Sequence, residues 1–115
     1  MEKFKEDCIF CKIIKGEAPS DVVYEDDIVK VIKNIEPVAK VHLLVIPKSH
    51  TDNITEYEND DLLLGKIINS AKKVADKLNL DSYRLIVNTG KGAGQSVMHT
   101  HVHILCDEKL ENTFL

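Results

Sequence analysis

The chain has 115 residues, 43% hydrophobic and 30% charged, with a net charge of −4 at pH 7. That length fits one domain with a modest core, which a metal or a partner subunit would support, and the acidic balance argues against a nucleic-acid polymer as partner, since that calls for a basic footprint. The charged start Met1-Glu2-Lys3-Phe4-Lys5-Glu6-Asp7 carries no apolar leader and no apolar run nears the ~20 residues that span a bilayer, while an odd set of three cysteines does not read as a secreted disulfide framework, so the expectation is a cytoplasmic protein with no membrane partner.

Residues 8–15 read as a short helix, stopped by Gly16 with Pro19 beyond it. Val22 to Glu25 and Ile28 to Ile32 flank Asp26-Asp27 as a hairpin. His42-Leu43-Leu44-Val45-Ile46-Pro47 is apolar on both faces and predicts a central strand in a sheet covered on both sides. Between 60 and 78 the apolar positions Leu64, Ile67, Ile68, Ala71, Val74, Ala75 and Leu78 predict an amphipathic helix. Tyr83 to Val87 is a further strand, 88–96 a loop, and Met98 to Leu105 a last strand. A short helix, three strands, a long helix and two strands imply an α+β fold around a mainly antiparallel five-stranded sheet. The final ten residues carry no clear pattern.

The last strand holds the densest chemistry. His99, His101 and His103 are two apart, and alternation along a strand puts them on one face. Three imidazoles in a row repel when protonated and cost free energy when buried without partners, so packing alone has little use for them. They suit proton transfer, metal ligation or phosphate chemistry near neutral pH. Consecutive same-face residues lie ~6.5 Å apart along a strand, too far for all three to share one ion with bonds of ~2 Å. A division of labour fits better, one histidine as nucleophile or base and its neighbours orienting it or contacting phosphate.

Just before that strand, Gly90, Gly92 and Gly94 alternate with other residues. Such a loop lets backbone amides form a nest for an anion. A strand follows it instead of a helix, so dinucleotide-fold and P-loop readings fail on context. The pair Cys8-x-x-Cys11 is open to three readings: a redox pair, half of a metal site, or two small buried residues. A zinc site needs two more ligands, and His50 and His99 are available. His42 reads by itself as a core histidine with a backbone partner, and Cys106 as a plain interior residue.

Taken together these residues resemble a known family. His99-Thr100-His101-Val102-His103-Ile104-Leu105 is similar to the His-φ-His-φ-His-φ-φ signature of the histidine triad (HIT) family, φ being hydrophobic. Asn88, Gly94-Gln95-Ser96, Leu44-Val45-Ile46-Pro47-Lys48-x-His50, Ile9-Phe10-x-Lys12-Ile13-Ile14, Pro19 and Tyr24-Glu25-Asp26-Asp27 also match its branch of purine nucleoside phosphoramidases. The similarity covers roughly 8–105 and treats the chain, 1–115, as one HIT domain. It implies a homodimer whose two sheets join into one, and hydrolysis at the α-phosphate of a purine nucleotide through a nucleotidyl-histidine intermediate. His101 would be the nucleophile. His103 and the Ser96 hydroxyl would contact phosphate or the leaving group. Asn88 and the amides near Gly94 and Gln95 would stabilise the anionic transition state. Phe10, Ile13, Ile32, Ile35 and Leu44 would form the base pocket.

The resemblance also implies a structural zinc ion, held in some relatives by ligands that here would be Cys8, Cys11, His50 and His99. Three departures stand out. Thr100 is polar at the first φ position and is expected to face away from the reaction. Asn34 replaces the aspartate that takes the ribose hydroxyls, losing charge-assisted bonding that is roughly twice as strong as a neutral bond. Cys106-Asp107-Glu108 replaces the usual Gly-Gly-Arg, which leaves the leaving group open. Other readings are hydrolysis of dinucleoside polyphosphates, or a nucleotide-binding scaffold with little catalysis. The uridylyltransferase branch has glutamine where this chain has His103.

Overall fold

A computed structural model describes residues 3–107. Helix α1 (Ile9–Lys15) precedes strands β1 (Val22–Glu25), β2 (Val29–Lys33) and β3 (Val41–Pro47), then helix α2 (Asp61–Lys77) and strands β4 (Arg84–Ile86) and β5 (Val102–Cys106). Single 3₁₀ turns lie at Ile54–Glu56 and Lys91–Ala93. The five strands form one antiparallel sheet in the order β1-β2-β3-β5-β4. The expected α+β arrangement is therefore present, with β3 central. Among the described residues no helix is long and apolar enough to cross a membrane.

Local signals explain the element ends. Cys8 caps α1, its Sγ accepting from the Cys11 N–H, and Gly16 closes it in the left-handed region at φ 80°, where glycine carries no Cβ penalty. The β1–β2 turn is held by Asp26, whose Oδ1 accepts from the Ile28 and Val29 N–H groups at 2.8 Å. The Asp60 side chain caps α2 by accepting from the Leu63 N–H.

The sheet has two different faces. On one, Val29, Val31, Leu43, Val45, Val102 and Ile104 pack under Ile67, Ala71 and Val74 of α2. On the other, Ile32, Leu44 and Ile46 meet Cys8, Phe10, Cys11 and Ile13 from the start of the chain. The Lys30 ammonium lies under α1 and donates to the Ile13 carbonyl at 2.9 Å, satisfying a carbonyl at the helix end.

Three expectations need correction. The last strand begins at Val102, so His99, Thr100 and His101 precede it. Pro47 opposite has no N–H to continue the ladder, and the Thr100 N–H donates to the Thr51 carbonyl instead, at 2.8 Å. On α2, Ile68 and Leu78 are 44% and 43% exposed, and Ser70 is buried in the helix face that meets the sheet. The Ser70 hydroxyl manages this by donating to the Lys66 carbonyl, one turn back. Finally, β4 is shorter than expected, Arg84–Ile86. Cys106 is buried, as expected, and Glu108 falls outside the described residues.

Candidate functional site

Two constellations meet at the second face of the sheet. The first gathers Cys8, Cys11, His50 and His99, all buried, with one ligand atom each inside a 4.8 Å span. Cys8 Sγ lies 3.3 Å from His99 Nδ1, Cys11 Sγ 3.3 Å from His50 Nδ1 and 3.5 Å from His99 Nδ1, and the two Nδ1 atoms are 3.1 Å apart. A tetrahedral ion with arms of ~2.0 Å to nitrogen and ~2.3 Å to sulfur sets N–N edges of ~3.3 Å and N–S edges of ~3.5 Å. These four distances lie close to those edges, and all the donor atoms fall within 4.8 Å of one another.

The outer partners fix which nitrogen faces inward. His99 Nε2–H donates to the Pro47 carbonyl and His50 Nε2–H to Asp52 Oδ1, each at 2.8 Å. Both Nδ1 atoms therefore present lone pairs to one another and to the two sulfurs. Nδ1 facing the donor cluster with Nε2–H tied to an outer acceptor is the arrangement that metal-ligating histidines adopt. Burial, partly opposed by the Pro47 bond, pushes His99 down to about 4, so the ring is neutral and fit to ligate. Burial also pushes the Cys11 thiol up to about 11, the direction that a bound cation reverses. The residues fit a closed, four-ligand Cys₂His₂ metal site.

The second constellation lines a cavity of about 610 Å³, within the size range of small-molecule sites. His101 and His103 form one wall, Ser96 lies beside them, and Phe10, Ile13, Ile32, Ile35 and Leu44 supply the apolar surface, with Asn34 at the edge. His101 Nδ1–H donates to the His99 carbonyl at 2.7 Å. Burial pushes its pKa below the ordinary value, with that bond opposing. The ring is thus neutral, its tautomer fixed, and Nε2 keeps a lone pair.

His103 pairs with His42. The Val38 N–H donates to His42 Nδ1 at 3.1 Å, so His42 carries its proton on Nε2 and donates it to His103 Nδ1 at 2.9 Å. His103 in turn keeps its proton on Nε2, as a donor. Burial, then the nearby His101 and His42 rings, pushes His103 down to about 4. Two adjacent neutral imidazoles therefore differ in role: His101 offers a lone pair and His103 offers an N–H. A lone pair beside an N–H donor is an arrangement suited to nucleophilic chemistry.

The remaining expected residues are placed less uniformly. Asn34 Oδ1 accepts from the Glu36 N–H at 2.9 Å, and its Nδ2 sits 3.2 Å from His42 Nε2. Ile35 is 91% exposed at the cavity lip. Asn88, Gly94 and Gln95 do not line the cavity. The Gln95 side chain is buried and turned into its own loop, accepting from the Gly90 N–H and donating to the Asp52 and Val97 carbonyls. Only its backbone is left for a ligand. Gly90 and Gly94 both have positive φ, 88° and 93°, so the loop conformation does require glycine there. Thr100 faces away from the cavity, its hydroxyl 2.7 Å from that of Thr51.

Sequence reasoning left His42, Asp52 and Pro47 without functional roles. His42 had a signal, since its position in β3 puts it on the same sheet face as Leu44, which pairs with His103. The orienting roles of Asp52 and the Pro47 carbonyl had none.

The HIT domain family profile matches residues 15–110. The purine nucleoside phosphoramidase of Escherichia coli strain K12 is 41% identical over 103 residues, 87% of this chain and 87% of that protein. A HIT family hydrolase from Clostridium thermocellum shares the fold with a TM-score of 0.89 and 45% identity, over 96% of this chain and 99% of that one. A histidine triad nucleotide-binding protein from Candida albicans gives a TM-score of 0.81 and 35% identity, over 90% of this chain and 75% of that one. The chain belongs to the HIT domain family, and its similarity is to hydrolases of that family.

Proposed function

We propose that the chain, as one HIT domain over 1–115, hydrolyses purine nucleoside phosphoramidates through a nucleotidyl-histidine intermediate on His101. The observation that carries this reading is the His101 ring, neutral and locked through Nδ1 to the His99 carbonyl at 2.7 Å, on the wall of the cavity. The similarity to an enzyme named purine nucleoside phosphoramidase supports the substrate class.

In the first step the Nε2 lone pair attacks phosphorus and the P–N bond to the leaving amine breaks, the amine departing with a proton taken from solvent and returned by the water of the second step. In the second, water attacks the same phosphorus, the histidine–phosphorus bond breaks, and nucleoside monophosphate leaves with His101 restored. His103 Nε2–H and the Ser96 hydroxyl donate to phosphate oxygens or to the leaving group. Asn88 and the backbone amides of Gly94 and Gln95 stabilise the anionic transition state, the main source of acceleration in phosphoryl transfer. The base rests against Phe10, Ile13, Ile32, Ile35 and Leu44, and Asn34 serves the ribose.

The ion at Cys8, Cys11, His50 and His99 is zinc on this reading, because two thiols and two imidazoles gathered within 4.8 Å suit it. With all four positions filled by protein its role is structural: it ties α1 to the turn after β3 and to the start of the histidine segment. The protein acts as a homodimer in the cytoplasm. Edge strand β4 offers the backbone through which two sheets could join.

Turnover of an AMP phosphoramidate by His101→Gly tests the mechanism, and wild-type turnover in that variant would refute it. Side-by-side kcat/KM values for AMP and GMP phosphoramidates and dinucleoside polyphosphates test the substrate class. AMP binding without turnover of any of them would leave a nucleotide-binding scaffold. Sedimentation at micromolar concentration tests the dimer.

A further inference from the structure

Helix α1 is shared by the two constellations. Cys8 and Cys11, at its N-cap and in its body, supply two donors of the metal cluster. Between them, Phe10 lies edge-on to both rings of interest, 5.9 Å from His99 and 5.1 Å from His101 between ring centroids. Ile9, Phe10 and Ile13 form one wall of the cavity. The helix has seven residues, well short of the ~12 that an isolated helix needs to be even marginal in water. Its position therefore depends on what holds it: the cluster, the Lys30 bond to the Ile13 carbonyl and packing on Ile32, Leu44 and Ile46. A second connection runs through the backbone. The His99 imidazole belongs to the cluster, and the His99 carbonyl accepts from His101 Nδ1–H at 2.7 Å.

We propose that metal occupancy of the Cys8-Cys11-His50-His99 cluster and nucleotide binding in the cavity are energetically coupled, with Phe10 and the His99 carbonyl as the positioning groups. This rests on the nucleotide reading given above. The element biased by both ligands is α1. An ion fixes it through Cys8 and Cys11, and a nucleotide fixes it through Phe10 and its neighbours. A ligand that holds α1 docked prepays the ordering that the other requires, so each raises the affinity of the other by the same factor. Phe10 also limits how far His101 can turn, so its ring and the His99 carbonyl together hold Nε2 towards the cavity. Phe10 is in this respect a positioning residue and not only part of the apolar wall.

The test uses the full chain, loaded with zinc chloride or stripped by a chelator, with AMP as the nucleotide probe. Titration calorimetry is expected to show AMP binding about tenfold weaker after stripping, within the usual range of coupling between sites. A competing chelator is expected to show zinc held about tenfold more tightly with AMP present, by reciprocity. Independently, ¹⁵N spectra of the His101 ring should show one tautomer in the loaded chain and a mixture in the stripped chain. Phe10→Leu retains the metal ligands and most of the apolar volume. It should keep one zinc per chain while the coupling factor falls towards one. A mere wall contact would instead weaken AMP equally with and without zinc.

Equal AMP affinity for loaded and stripped chains, with unchanged His101 signals, would overturn the proposal. So would a full coupling factor in Phe10→Leu, which would remove Phe10 from it. If stripping unfolds the chain, the loaded Phe10→Leu variant decides alone: His101 signals identical to the parent's count against the coupling, and a second tautomer counts for it. If AMP fails to bind even the loaded chain, the nucleotide reading falls, and the His101 signals, which need no nucleotide, still judge the link from cluster to nucleophile.

Discussion

His99 and His103 stand four residues apart in one short segment and have the same side chain, yet their surroundings separate them. His99 is fully buried, precedes the strand, and turns Nδ1 towards two sulfurs and another imidazole while Nε2–H is tied to a carbonyl. His103 lies within β5, half-buried on the cavity wall, and its Nδ1 accepts from His42 while Nε2 keeps the proton. Both rings are pushed to about 4, by burial first in each case. Depressed basicity alone thus does not tell ligand from donor. The partner of the other nitrogen does: an acceptor outside the ring exposes a lone pair, and a donor outside it exposes an N–H.

His101, between them, is the residue whose loss should do most. His101→Gly removes the lone pair on which the proposed first step depends. Turnover of an AMP phosphoramidate should fall by about 10⁴-fold or more, as nucleophile removal does elsewhere, while zinc content stays at one per chain. Loss of activity together with loss of metal would blur the separation of the two ends. The double variant Cys8→Ser/Cys11→Ser strikes the opposite end. It should abolish zinc in elemental analysis and lower the melting temperature by about 10 °C, since metal binding at such a site is folding free energy. A metal-free parent of unchanged stability would return both cysteines to packing or redox roles.

A finer cut at the metal end is Asp52→Asn. The Asp52 carboxyl is held below its ordinary range, first by the His50 bond, and it fixes the nitrogen His50 presents to the cluster. Losing that charge should weaken zinc binding about 10–100-fold, measured against a competing chelator, with kcat of the loaded enzyme little altered. A large fall in kcat would mean that the two ends are not separable through His50.

What could be read from sequence follows the range of each interaction. The element order, the Gly16 helix stop and the Asp26 turn are set within a few residues, so periodicity and turn chemistry located them. The start of β5 is not local. It depends on Pro47, opposite, having no N–H and on Thr51 taking the Thr100 N–H. Likewise, apolar spacing along α2 included Ile68 and Leu78, but which helix face meets the sheet is decided by packing, and that face takes Ser70 instead. The cluster of Cys8, Cys11, His50 and His99 was one open reading of the residues, and family resemblance singled it out, since its members are up to 91 residues apart. The second partners, Pro47, Asp52 and His42, were the least legible, because a carbonyl, a carboxylate and an ordinary β-strand histidine carry no motif of their own.

The smallest expected effect concerns acid stability at the cavity end. The folded pKa of His103 is about 4, against an ordinary value of 6.5. Between those values the unfolded chain binds a proton at this residue and the folded chain does not. Stability therefore falls as pH drops from 6.5 towards 4, and it is restored above 6.5. Release of the proposed zinc on acidification would pull the same way, so the wild-type slope alone does not assign the effect. His103→Gln retains a side-chain amide in the cavity wall and removes only this titration, leaving the four metal ligands in place. Melting temperatures of the two proteins, measured at pH 7 and pH 5, should differ in their pH dependence by about 3 °C, with wild type the more acid-sensitive. Solvent reaching a half-buried ring keeps the difference small. Parallel slopes would mean that His103 is protonated as readily in the folded chain as in water, and its assignment as a neutral Nε2–H donor would fail while that of His99 stood.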